Sequence, residues 1–209
     1  MNILSIDFDI IMYPYIKLYN DKVNGGENPT RVWDFLNLYN IEEYIAYDAI
    51  VYKKIIQLLC KVKQNNGKII FIENHEEVIT NLKLCENYDA MAFNLTNVDF
   101  HHDVFYNKDD IAISKYFEKC SCANWVGHLA VNNKLDSLLW VKAPNSESDF
   151  LSSFNIEEFC NFNTESINSV EQSFMNKKYD YMFICLSPQW VPYKLHHLYD
   201  VCRIIAEEE

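Results

Sequence analysis

A chain of 209 residues that is 49% hydrophobic and 15% aromatic can bury a sizeable core, and its length suits a single domain over 1–209. Only four Gly and five Pro argue against a linker-rich or disordered protein, and no run of about 18 apolar residues is present to cross a membrane. A formal net charge of −12 argues against nucleic-acid binding, which needs clustered Lys and Arg; it suits a cationic partner, or simply solubility.

The opening "MNILSIDFD" has no basic region and meets an acid at Asp7, so it reads as a strand over 3–7 and not as a signal peptide. "NGGENP" (24–29) reads as a loop. Residues 42–67 carry apolar side chains at helical spacing and end in Lys, Asn-Asn and Gly67, a helix stop. "KIIFIEN" (68–74) is a buried strand, and 75–88 a helix with acids in its first turn, where the macrodipole favours them. A strand over 92–101, a helix over 122–133 and a strand over 137–144 follow. "YDYMFICLSP" (179–188) is a late buried strand, and 191–209 closes as a helix with Pro192 near its first turn. Short apolar strands alternating with helices predict a three-layer α/β/α sandwich around a mainly parallel central sheet. The loop near 20–30 and the polar segment 143–178 are the expected insertions or lids. The seven cysteines are odd in number and lie mostly in apolar contexts, as expected of reduced core thiols in a cytoplasmic protein. Cys120-Ser121-Cys122 has no second Cys pair to complete a zinc knuckle.

Three strand ends carry the reactive side chains, and in open α/β sheets ligands gather at such ends. The first ends in Asp7 and Asp9, the second leads to His75, and the third ends in Asp99, His101 and Asp103. In an extended chain the spacing i, i+2, i+4 points side chains to one face. His102 then points the other way and reads as a structural residue. Four buried carboxylates repel one another unless cations stand between them. Two divalent ions meet that need, and oxygen and nitrogen donors without thiolate suit Mn²⁺, with Zn²⁺ or Fe²⁺ as alternatives. Taken singly, an Asp-x-Asp reads as readily as a solvated turn, and His75 as a helix cap.

Asp99, His101 and Asp103 resemble the Asp-x-His-x-Asp signature of the ureohydrolases, the arginase and agmatinase superfamily. His75 is placed like that family's preceding single histidine, and Asp7 and Asp9 like its second Asp-x-Asp. That pair comes first here, an order similar to the compact peptide arginases of ribosomal-peptide pathways. "NWVGHL" (124–129) and "SPQWVP" (187–192) resemble the Asn-Trp…Gly-His and Ser-Pro-Glu segments of a related arginase-like family. The resemblance implies an arginase-like fold and two Mn²⁺ held by Asp7, Asp9, His75, Asp99, His101 and Asp103. It implies hydrolysis of a guanidinium, most simply the arginine of a precursor peptide converted to ornithine and urea. By the same resemblance Asp103 passes a proton to the leaving amine, and His128 is a proton shuttle; His128 also reads as a helix residue packed beside Trp125. Gln189 stands where the related motif has Glu, which removes the charge that would pair bidentately with a guanidinium. Glu73 is a candidate substitute.

Two other classes fit parts of the chain. "IDFDIIMYP" also suits a haloacid-dehalogenase-type phosphatase, but that reading leaves Asp99, His101 and Asp103 without a role. A non-catalytic module that keeps the fold and the metals draws its support from Gln189.

Overall fold

The computed structural model describes residues 1–13, 40–143, 146, 154–168 and 172–208. The expected loop at 24–29 and parts of the polar segment 143–178 lie outside these residues. In chain order the strands are β1 (Asn2–Asp7), β2 (Met12–Tyr13), β3 (Ala46–Tyr47), β4 (Lys68–Ile72), β5 (Phe93–Val98), β6 (Leu135–Lys142), β7 (Asn161–Ser166) and β8 (Tyr181–Cys185). The helices are α1 (Ile41–Tyr44), α2 (Ala49–Gln64), α3 (Glu77–Leu82), α4 (Lys108–Phe117), α5 (Trp125–Val131), α6 (Gln172–Asn176) and α7 (His196–Glu207).

Six strands form one sheet in the order β4-β8-β1-β5-β6-β7, and every pairing in it is parallel. Its central strands are apolar on both faces because helices cover both. Along β1, Leu4 and Ile6 pack with the inner faces of α2 and α7, whereas Ile3 packs with α3 and α5. The predicted three-layer α/β/α sandwich is therefore the observed fold. No helix of the described residues is long and apolar enough to cross a membrane.

Several element boundaries differ from expectation, each for a local reason. The helix expected over 42–67 is broken at 45–48. There β3 pairs with β2, and Asp48 caps α2 by accepting from the amides of Ile50 and Val51 at 2.8 and 3.1 Å. Its stop also differs: the left-handed residue is Asn66, at φ 57°, and no glycine has positive φ among the described residues. Gly67 is needed instead for close approach, since a Cβ there would lie 2.6 Å from the Tyr179 carbonyl oxygen. The helix expected over 75–88 keeps only 77–82 before the chain turns. The polar segment near its C-terminal half is not all insertion, because 161–166 forms the edge strand β7. One face of β7 stays half exposed, so its sequence, Asn-Phe-Asn-Thr-Glu-Ser, lacks the apolar run of an inner strand.

Candidate metal centre

β1 lies between β8 and β5, with β4 one strand further out. Their C-terminal ends therefore bring Asp7, Cys185, Asp99 and the turn after β4 to one rim. β1 stops at Asp7, which caps a short 3-10 turn by accepting from the Asp9 amide at 3.1 Å. That turn, and not an extended strand, carries Asp9 inward. β5 likewise stops at Val98, so Asp99, His101 and Asp103 converge through a loop. Here the extended-strand expectation needs correcting. Asp99 accepts from the His101 amide at 2.8 Å, and Asp103 sits in the left-handed region at φ 53°. The backbone therefore bends between the three side chains. A non-glycine residue in that region costs about 1–3 kcal/mol, and such strain concentrates at functional sites.

The loop is held from outside by α5. The amides of Val126 and Gly127 donate to the Asp103 carbonyl at 3.0 and 3.2 Å. This approach requires glycine, since a Cβ at Gly127 would meet the Val104 carbonyl oxygen at 2.0 Å. Trp125, at the start of α5, donates its indole N–H to Asp103 Oδ2 at 2.8 Å and lays its ring against His75, with centroids 5.3 Å apart. Trp190 lies similarly against His101 at 5.1 Å.

All six expected ligands are brought together and buried. His75 Nδ1 lies 3.1 Å from Asp103 Oδ2, 3.4 Å from Asp7 Oδ2 and 3.6 Å from Asp99 Oδ2. His101 Nδ1 lies 3.4 Å from Asp9 Oδ2 and 3.8 Å from Asp99 Oδ1. Asp99 thus turns one oxygen to each imidazole. Two donor sets share it: His75, Asp99 and Asp103 form one, and Asp9, Asp99 and His101 the other.

The electrostatics are those of a centre short of positive charge. Burial and the neighbouring Asp9 raise the Asp7 carboxyl to about 7. Burial and the charges of Asp103, Asp7 and Asp9 push Asp99 well above the usual carboxylate range. Burial also disfavours ionised Asp103, but His75 and His101 outweigh it and hold that carboxyl low. Burial alone would lower both imidazoles; Asp7 and Asp103 raise His75 instead, and Asp9 raises His101 to about 9. Both oxygens of Asp9 are buried without a hydrogen-bond partner, and so is Nε2 of His75. Asp9 meets one imidazole, His101, and shares the site with three other carboxyls; such a cluster fits a divalent cation, and the O and N donors fit several such ions.

The remaining expected residues fall in different places. Gln189 is buried, with its amide 4.0 Å from the Cys122 sulfur. Gln189 stands in the chain between Ser187, which bonds Asp7, and Trp190, whose ring lies against His101, so this pair lies beside the centre. Glu73 does not face the centre. Its side chain is exposed and lines a separate groove of about 460 Å³ with Glu77, His196, Asp200 and Arg203. It reaches the site only through its backbone, whose carbonyl accepts from the Ser187 amide at 3.0 Å. His128 is buried on α5, and its imidazole is lowered by burial and by Lys83, with Glu118 opposing. Among the described residues no hydrogen bond or ion pair joins its ring to the carboxylates. His102 is structural, as expected: its Nδ1 accepts from the Val104 amide at 3.0 Å and its ring stacks on Tyr106.

Sequence reasoning overlooked two contributors. Ser187, left-handed at φ 47°, donates its hydroxyl to Asp7 Oδ2 at 2.7 Å. Cys185, taken for a plain core thiol, forms a third donor set with Asp7 and His75. The signal was there in "ICLSP", where Cys and Ser alternate at the end of an inner strand. No protein-family model, no curated protein and no solved structure matches the chain.

Proposed function

We propose that the chain is a two-metal hydrolase of the ureohydrolase type that cleaves a guanidinium C–N bond, converting peptidyl arginine to ornithine and urea. One observation carries the reading: Asp99 presents Oδ2 to His75 and Oδ1 to His101, with Asp7 and Asp103 beside the first imidazole and Asp9 beside the second. His75, Asp99, Asp103 and Asp7 would hold one ion, and Asp9, Asp99 and His101 the other. When bound, such a pair of ions supplies Lewis acidity and a water of lowered pKa.

The chain's own groups supply orientation and proton transfer. Trp125 holds Asp103 through Oδ2. His75 and His101 hold that carboxyl low, so it stands ionised to take up a proton and pass it to the departing amine. Trp125 and Trp190 cover the two imidazoles and limit their access to bulk water. Gln189 lies beside the centre as a neutral hydrogen-bonding group for the substrate's N–H donors.

The test is mass spectrometry of arginine-containing peptides after incubation with Mn²⁺-loaded protein. Loss of CH₂N₂ from arginine, with release of urea, is the expected result. Two bound ions with every guanidine compound left intact would instead support a non-catalytic metal-binding module. Haloacid-dehalogenase-type phosphatase chemistry is the weaker alternative, because it gives no role to His75, Asp99, His101 or Asp103, which the fold brings together with Asp7 and Asp9.

A further inference from the structure

Cys185 lies opposite Asp7 in the parallel pairing of β8 with β1, so their side chains are neighbours on adjacent strands. Its sulfur, a carboxylate oxygen of Asp7 and a ring nitrogen of His75 all lie within 4.8 Å of one another, and all three residues are buried. Asp7 Oδ2 and His75 Nδ1, 3.4 Å apart, are already near the spacing of two donors on one small ion. The thiol donates to the Glu73 carbonyl oxygen at 3.4 Å and lies 3.3 Å from the Ser187 hydroxyl, contacts that ligation of the sulfur would replace. Among the described residues no other cysteine joins a three-donor set. The His101 half of the centre, with Asp9 and Asp99, offers oxygen and nitrogen alone.

We infer that the two halves of the centre differ in metal preference. The half around His75 takes a thiophilic divalent ion such as Zn²⁺ or Co²⁺ through Asp7, His75 and the Cys185 thiolate, and the half around His101 takes a harder ion such as Mn²⁺. Thiolate donors select zinc-like ions, whereas carboxylate sites accept Mn²⁺. On binding, the Cys185 S–H bond breaks, a sulfur–metal bond forms and the proton passes to solvent. The inference rests on the metal-centre part of the proposed function and departs from a centre that holds two Mn²⁺ through oxygen and nitrogen alone.

The test is a Co²⁺ titration of the full chain, with binding followed by calorimetry and ligation by absorption. The first equivalent should bring a sulfur-to-cobalt charge-transfer band in the near ultraviolet. Cys185→Ser should abolish that band while still binding Co²⁺ through its carboxylates and imidazoles. If Cys185→Ser fails to fold, X-ray absorption of the Zn²⁺-loaded wild type decides the matter, with one sulfur at about 2.3 Å expected. Two bound ions with no sulfur signature, or a band that survives in Cys185→Ser, would overturn the inference and leave the hydrolase reading intact. Failure to bind any divalent ion would overturn both.

Discussion

Asp99 is the residue on which both halves of the centre depend, and its environment makes a sharp prediction. Burial and three neighbouring carboxylates push its carboxyl well above the usual range in metal-free protein, so its charged form is disfavoured there. Asp99→Asn should therefore cost the metal-free fold little, within about 1 kcal/mol, because it removes a charge that burial and its neighbours disfavour. The same change should abolish the binding of two ions, since among the described residues no other carboxylate lies within 4.0 Å of both imidazoles. Thermal melts with and without Mn²⁺, together with metal analysis, check both halves of the statement. Ser187 gives a milder case. Its hydroxyl orients Asp7 Oδ2, and loss of such a partner behind a metal ligand lowers affinity by about 10–100-fold. Ser187→Ala should do so, and Ser187→Gly should do so equally. A glycine that restored affinity would mean that the left-handed backbone at φ 47°, and not the hydroxyl, limits the site.

At the scale of elements, α5 fixes the loop that follows β5. Gly127 lets the helix approach until its first amides reach the Asp103 carbonyl, and Trp125 grips the carboxylate of the same residue. Gly127→Ala places a methyl 2.0 Å from the Val104 oxygen, a backbone atom that can yield only by moving the loop. Denaturant unfolding should report a loss of about 1–3 kcal/mol, the usual cost of overpacking. Metal affinity should fall with it, because Asp103 and His75 both lean on Trp125. Much of this scale was legible in the chain. The runs 3–7, 68–72 and 181–185 are short, branched and apolar, and each is a strand of the sheet, the first and third inside it and 68–72 at its edge. β7 and α4 were not legible. β7 is an edge strand with a half-exposed face, and α4 buries only Ser114 while Ile113, Tyr116 and Phe117 stay exposed. Neither carries the periodic apolar face by which such elements are read.

For the whole molecule, pH sets how much the fold needs its ions. The folded protein holds a proton on His101 up to about pH 9, against an ordinary value of 6.5. That stabilisation is complete below about 6.5 and is lost as pH rises through about 9. Asp7, raised from 3.8 to about 7, works in the same sense: the folded state binds a proton that the unfolded chain has released, so stability falls as pH climbs through that window. The metal-free melting temperature should therefore drop between pH 6 and 9, and metal uptake should release protons. The metal-induced rise should grow over the same range, because protons stop competing for the ligands. Ions present at about 100 times their dissociation constant contribute about 2.7 kcal/mol, roughly 5–10 °C for a chain of this size. Scanning calorimetry across pH, with and without Mn²⁺, tests the trend; a metal-free protein that becomes more stable toward pH 9 would contradict it.

By itself the sequence determined the layer architecture and picked out six acids and imidazoles that the fold brings together. Both follow from local chemistry: apolar runs bury themselves, and acids and imidazoles placed at their ends collect on one rim of a parallel sheet. Only the tertiary structure decided how those residues meet. Strand order put Cys185 opposite Asp7, and the bend after Val98 aimed Asp99 at two imidazoles at once. Glu73 and Gln189 make the same point. Each is a polar residue near a strand end, but packing buries Gln189 beside the centre and turns the Glu73 side chain into another groove. Spacing along the chain specifies which side of a strand a residue occupies. Which other side chains it meets depends on the order of strands across the sheet and on backbone turns into the left-handed region, neither of which is a local property of the residues concerned.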